Sequence, residues 1–197
     1  MRATRLLFSF FVAIIASNPS CLAQADSSQG MDEMMKLWKQ VSTPGEEHAR
    51  LNDLVGSWIT TSTMWMDPDN PMVTTGTSEM KWILGGRFLH QQADGEMMGM
   101  PFHGIGITGY DIYNKKYVAF WIDNSSTAMF TMEGAFDRSG KVLTMYGKLD
   151  EWLTGERDKN VKYVFRMESK DRVVFEIYDL SIGDDAKVMQ IEYARKK

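Results

Sequence analysis

The sequence predicts an all-β fold, an antiparallel up-and-down β-barrel of about ten strands preceded by one or two short helices. Three observations lead there. From Trp58 onward the apolar period falls from about 3.6 residues toward 2 and stays there to the end of the chain. The alternating runs are joined by short connections with turn chemistry, as in Asp67-Pro68-Asp69-Asn70-Pro71 and Asp137-Arg138-Ser139-Gly140. Strands in such a sequential meander leave two open edges unless the sheet closes on itself, and closure removes that liability.

The chain opens on an address. Arg2 and Arg5 precede an apolar run from Leu6 to Ala16, and Ala23-Gln24-Ala25 has the small-x-small cleavage pattern before Asp26. Residues 1–25 are therefore expected to be a signal peptide, 26–55 a helical segment and 56–197 the barrel. Export to the periplasm or the extracellular space follows. The run is too short for a permanent anchor, and nothing downstream approaches the roughly 20 apolar residues of a membrane helix. Asn18-Pro19-Ser20 before Cys21 lacks the Leu-like residue that lipidation requires. Cleavage would remove the only Cys, leaving stability to packing alone.

Asp26 to Gly30 reads as a mobile start. Met31, Met34, Met35, Trp38 and Val41 then recur at helical spacing. Thr43-Pro44-Gly45-Glu46 combines an N-cap Thr, a Pro at the first helical position and a Glu at the third, which predicts a second helix to about Leu54, stopped by Gly56. His48 on that helix reads as exposed.

Strands are expected near 57–66, 73–82, 87–93, 102–109, 117–123, 128–136, 142–149, 161–168, 172–179 and 188–195. Val161, Tyr163, Phe165 and Met167 share one face of a strand while Lys162, Arg166 and Glu168 share the other, so the interior is apolar and aromatic. Thr60 and Ser62 share parity with Trp58, which gives that interior a polar portion.

A formal net charge of −4 leaves no basic face for nucleic acid or anionic lipid. Gly104-Ile105-Gly106-Ile107-Thr108-Gly109 matches the dinucleotide fingerprint in letters, but a strand follows where that chemistry needs a helix N-terminus. Strand glycines here relieve crowding. The sequence holds no Gly-x-Ser-x-Gly elbow, no His-Glu-x-x-His pair and no phosphate loop. Asp67, Asp69, Asp184 and Asp185 fall in turns. Met97, Met98 and Met100 beside His103 have the softness for Cu(I), yet Met is more often an adaptable apolar filler, here a flexible lip at the barrel mouth. No cofactor is expected.

The segments Trp82-Ile83-Leu84-Gly85-Gly86-Arg87-Phe88-Leu89, Met97-Met98-Gly99-Met100-Pro101-Phe102, Gly109-Tyr110-Asp111, Lys115-Lys116-Tyr117-Val118 and Trp121-Ile122-Asp123 resemble the bacterial domain-of-unknown-function family 1579, from about Glu46 to Arg195. That resemblance implies an exported, lipocalin-like (calycin) barrel and no assigned activity. Gly56-Ser57-Trp58 opening the first strand is similar to the Gly-x-Trp signature of lipocalins, in which an Arg from the last strand packs on the Trp. Arg195 holds the matching place, so Trp58 and Arg195 are expected to close the barrel.

The function expected is non-enzymatic binding of a small hydrophobic or amphipathic molecule. Arg87, Met98, Phe102, Trp121, Tyr163, Phe165 and Met167 are the candidate ligand-binding residues. Tyr193 and Arg195 share parity like the carboxylate-binding pair of fatty-acid-binding barrels. With Arg195 committed to closure, Arg87 becomes the candidate for the head group of a medium-length acid. Two alternatives stand beside this reading: a haem- or metal-dependent enzyme using His90 or His103, and a structural or interaction module whose barrel its own side chains fill.

Overall fold

The structure is a computed structural model that describes residues 24–67, 69–151 and 154–197, with side chains from residue 30. The apolar leader and Cys21 lie outside the described residues. The chain divides into two compact units, one through Gln40 and one from Val41 to Lys197.

In the first unit, helix α1 (Gln24–Ser42) leaves Met31, Met34, Met35 and Trp38 exposed. The stretch 26–30, expected to be mobile, is helical. Gly30 disfavours a helix by about 1 kcal/mol and Asp26, Ser27 and Ser28 by less, while Gln29 within the stretch and Ala25 before it favour one.

The second unit begins with a short helix α2 (Glu46–Ala49) that tightens into a 3-10 turn over Arg50–Leu54. The cap falls on Gly45 and not on Thr43: the Gly45 N–H donates to His48 Nδ1 at 3.2 Å. That bond and an edge-on contact with the Tyr110 ring, 5.9 Å between centroids, draw His48 inward to 5% exposure. Its expected exposure is thereby corrected.

Ten antiparallel strands follow in a closed meander: β1 (Gly56–Met64), β2 (Met72–Ile83), β3 (Phe88–Met97), β4 (Met100–Asp111), β5 (Lys116–Asp123), β6 (Phe130–Phe136), β7 (Val142–Glu151), β8 (Glu156–Ser169), β9 (Arg172–Asp179) and β10 (Lys187–Arg195). Each pairs with its neighbours in sequence, and β1 pairs with β10, Trp58 opposite Arg195 and Met64 opposite Met189, so no edge is left. Several strands outrun their apolar patterns. Strand β8 begins at Glu156, five residues before Val161, because Lys148, Leu149 and Glu151 of β7 supply ladder partners that no side-chain pattern reveals.

Side-chain parity puts one set of residues inside. Leu51 and Leu54 from the helical turn enter the barrel end and meet Trp58, Met80, Leu89 and Leu143, all 3% exposed or less. At about 1.5–3 kcal/mol for each large apolar side chain buried, this end dominates stability. Three polar ring groups tie the helical cap to the strands: Trp58 Nε1 donates to the Leu54 carbonyl (2.9 Å), Trp82 Nε1 to Asn52 Oδ1 (2.9 Å), and the Tyr117 hydroxyl to the Glu47 carbonyl (2.7 Å). Arg195 spans the seam. Its guanidinium carbon lies 4.1 Å from the Trp58 ring centroid, and its N–H groups donate to the carbonyls of Lys170 (2.6 Å), Val55 (2.7 Å) and Asp53 (2.9 Å). Gly56 must be glycine there: its φ is +133°, and a Cβ would sit 2.5 Å from Arg195 Nη1.

Candidate functional site

The packed end accounts for only part of the interior. Toward the β1–β2, β3–β4 and β5–β6 hairpins the barrel encloses a cavity of about 370 Å³. A single water needs roughly 10–15 Å³ on the same kind of measure, so the space is far beyond packing imperfection and within the range of small-molecule pockets.

Its walls follow from strand parity. Thr60, Ser62 and Met64 of β1 face inward, as do Tyr163 and Phe165 of β8. Phe165 meets Phe175 of β9 with centroids 4.3 Å apart, and Tyr163 stacks on the same ring at 6.3 Å, forming an aromatic wall. The opposite wall is built around Trp121. Its indole lies flat on β4, where a Cβ on Gly104 would come 2.1 Å from Trp121 Cζ2 and one on Gly106 would come 3.1 Å from Cε3. The glycines of the apparent nucleotide motif are thus the slot for an indole. Phe102 continues that wall, nearly parallel to Trp121 at 16° and 6.5 Å between centroids.

Two polar clusters stand out in a lining that also carries Thr60, Ser62, Asp94 and Glu96. At the floor, Gln91 Nε2 donates to Ser78 Oγ (3.1 Å) and to the Tyr193 hydroxyl (3.2 Å), so the buried hydroxyls are satisfied within the protein. Burial pushes the Tyr193 phenol up to about 12, with the Gln91 bond acting against it, and burial alone brings Tyr163 to about 12. Higher up, Asp123 accepts from Trp121 Nε1 (2.8 Å), the Ser125 N–H (2.9 Å) and the Ser125 hydroxyl. Met64, Met72, Met97 and Met189 line the upper part of the cavity.

Phe102, Trp121, Tyr163 and Phe165 therefore come together on the cavity. The other candidates do not. Met167, 5% exposed, packs in the filled core. Met98 sits at the β3–β4 hairpin tip with φ +53° and is 65% exposed, because the turn geometry swings it out of the strand alternation. Arg87 lies in the β2–β3 turn beside the helical cap, where its Nη1 donates to the Leu84 carbonyl at 2.9 Å. That turn is at the packed end, so Arg87 cannot hold a head group in the cavity, and Arg195 is spent on closure. None of the three His residues lines the cavity. His90 alternates outward between Leu89 and Gln91, His48 is under the cap, and His103 Nδ1 lies 2.7 Å from Asp94 Oδ1 on the exposed surface. Among the described residues no group of three or more His, Cys, Asp or Glu is arranged to hold a metal ion. Tyr193, paired with Arg195 by sequence parity, does reach the cavity while Arg195 does not; Gln91 and Asp123 were not singled out as ligand-facing by sequence pattern, although the inward parity of Gln91 with Leu89 was readable.

A second concavity lies on the outside of the barrel, an open groove between Phe88, Ile107, Phe120 and Tyr146.

Fold and cavity together define a single-chain up-and-down barrel with a closed, packed base and a hollow upper chamber. The chain belongs to the family described as "Protein of unknown function (DUF1579)", which matches residues 43–195. Similar solved structures include that of Rv2717c from M. tuberculosis, 14% identical, with a TM-score of 0.57 over 79% of this chain and 100% of that one. Two redesigned β-barrels also match. One is 13% identical with a TM-score of 0.41, covering 79% of this chain and 100% of the other; the second, mFAP0 bound to DFHBI, is 15% identical with a TM-score of 0.41, covering 73% and 99%. These likenesses concern the fold. No curated protein matches.

Proposed function

We propose that this protein binds a small hydrophobic or amphipathic molecule in the upper chamber of the barrel, as a carrier or receptor and without covalent chemistry. The observation behind this reading is the 370 Å³ cavity walled by Trp121, Phe102, Phe165 and Phe175 in a barrel whose other end is densely packed. A stretch that existed only to stabilise the fold would be filled, since empty apolar volume costs about 24 cal/mol per Å³ in measured cavities. The flexible thioethers of Met64, Met72, Met97 and Met189 near the opening suit apolar partners of varied shape. An apolar chamber of this size gives affinity of about micromolar strength. The basic start, apolar run and Ala23-Gln24-Ala25 pattern support a site of action outside the cytoplasm.

The test is fluorescence titration with the neutral apolar probe N-phenyl-naphthylamine, comparing the wild type with Ser62→Phe, which fills the chamber, and Phe165→Asp, which puts a charge in its wall. Saturable binding weakened at least about tenfold in both variants supports the reading. No binding by folded wild-type protein, or unchanged binding in both folded variants, overturns it.

A further inference from the structure

We propose that the chamber selects a ligand with a cationic head group, an alkyl ammonium, received by Asp123 against the faces of Trp121 and Phe102. This rests on the reading of the chamber as a ligand site and specifies its chemistry.

The lining has a one-sided charge. No Lys, Arg or His is among the residues that line it, whereas three acids are: Asp94 and Glu96 on β3, and Asp123, whose strand position points inward with Tyr117, Ala119 and Trp121. The partners of Asp123 are all neutral. The Trp121 indole N–H and the Ser125 N–H and hydroxyl fix its orientation without supplying a positive charge, and no ion pair involves it among the described residues. Structural carboxylates elsewhere in this barrel are treated differently: Glu176 has Arg166 and Lys187, and Asp179 has Lys159. An inward carboxylate without a counter-charge repels an anionic head group and attracts a cationic one, and the low dielectric of an apolar wall amplifies both effects.

The second observation is aromatic. One face of the Trp121 indole is pressed onto Gly104 and Gly106, and Phe102 extends the same surface at an interplanar angle of 16°. Indole and phenyl faces attract ammonium groups, Trp most strongly. Here that surface is attached to the carboxylate itself, because the indole N–H is bonded to Asp123. An alkyl tail continuing past this point enters the apolar space against Phe165 and Phe175, while an acid would meet the carboxylate with no cation to offset it.

The experiment displaces N-phenyl-naphthylamine from the protein with three ligands of equal chain length, dodecylammonium, dodecanol and dodecanoate, below their aggregation thresholds and at low ionic strength. Dodecylammonium should compete about tenfold or more better than dodecanoate, with dodecanol between them. Asp123→Asn keeps an acceptor for the indole and, with each competitor measured against that variant's own probe affinity, should bring the three competitors within about threefold of one another. Glu79→Gln, an exposed β2 position outside the chamber lining, should leave the order intact. Absence of probe binding refutes the chamber reading itself. Probe binding with dodecanoate equal to or better than dodecylammonium overturns the head-group assignment, as does a cationic preference that survives in Asp123→Asn.

Discussion

Removing the Arg195 side chain beyond Cβ tests how the barrel is closed. The guanidinium stacks on Trp58 and supplies three hydrogen bonds to carbonyls of Asp53, Val55 and Lys170, which belong to the helical cap, the start of β1 and the β8–β9 turn. Cation–π attraction at a partly buried ring is worth about 1 kcal/mol. A bond from a charged donor is worth about 1.5–3 kcal/mol. The Arg195 side chain is 27% exposed, so water replaces part of each bond, and a discounted value of about 1 kcal/mol apiece is appropriate. The nearby Asp171 carboxylate at 3.4 Å is largely solvated and adds little. Arg195→Ala should therefore cost about 2–4 kcal/mol, allowing for non-additivity. With a urea m-value of about 2 kcal/mol/M, the midpoint should fall by about 1–2 M with m unchanged. Arg195→Lys should recover less than half, since an ammonium neither stacks as a plane nor reaches three carbonyls at once. Arg138→Ala, in an exposed turn, is the control. A midpoint for Arg195→Ala within about 0.2 M of the wild type would refute the closure role.

The remaining predictions concern the wall, the chamber tyrosines and the N-terminus. Gly104→Ala puts a Cβ 2.1 Å from the Trp121 ring and should lower stability by about 1–3 kcal/mol and weaken probe binding, whereas Gly183→Ala, with open space around it, should do neither. Unfolding midpoints and titrations of both variants decide this. The phenols of Tyr163 and Tyr193 titrate near 12 in the folded protein against about 10 unfolded. The folded state therefore holds more protons between these values, and stability present below pH ~10 should decline as pH rises toward ~12, by up to about 1.4 kcal/mol per unit for each phenol. Tyrosinate absorbance that rises with unfolding, not before it, is the expected signature, and full tyrosine ionisation in still-folded protein would contradict it. Expression with the complete leader should give exported protein beginning at Asp26, read by N-terminal sequencing; retention of residues 1–25 on cytoplasmic protein would contradict export.

Strand number and closure were legible because the alternation of apolar and polar residues is a local signal. The pairing of Trp58 with Arg195 was legible too, because Gly56-Ser57-Trp58 and the last strand carry it in recognisable residues. The cavity walls were half legible: Tyr163 and Phe165 announce themselves by parity, but their distance from the helical cap depends on strand stagger, which the sequence does not display. Arg87 illustrates the consequence. It is a cation beside two glycines, yet its turn belongs to the packed end, so the head-group candidate does not reach the chamber. Asp123 was hidden for another reason. As the last residue of a strand before Asn124 and Ser125 it looks like turn chemistry, and it does accept the Ser125 N–H, although its shared parity with Trp121 carries it inward opposite Gly104. That Gly104 and Gly106 relieve crowding was legible, but the ring that needs the space was not, since Trp121 is on the neighbouring strand. His48 was misread because its cap bond joins it to Gly45, three residues back, and its ring partner is on β4.

Backbone amide chemical-shift mapping of the protein titrated with N-phenyl-naphthylamine tests the central claim most directly. An internal chamber predicts saturating shifts at Thr60, Ser62, Gly104, Gly106, Trp121 and Phe165, with little change on the outer groove at Phe88, Ile107, Phe120 and Tyr146. Shifts confined to that outer groove, or no saturating shifts at all, would contradict it.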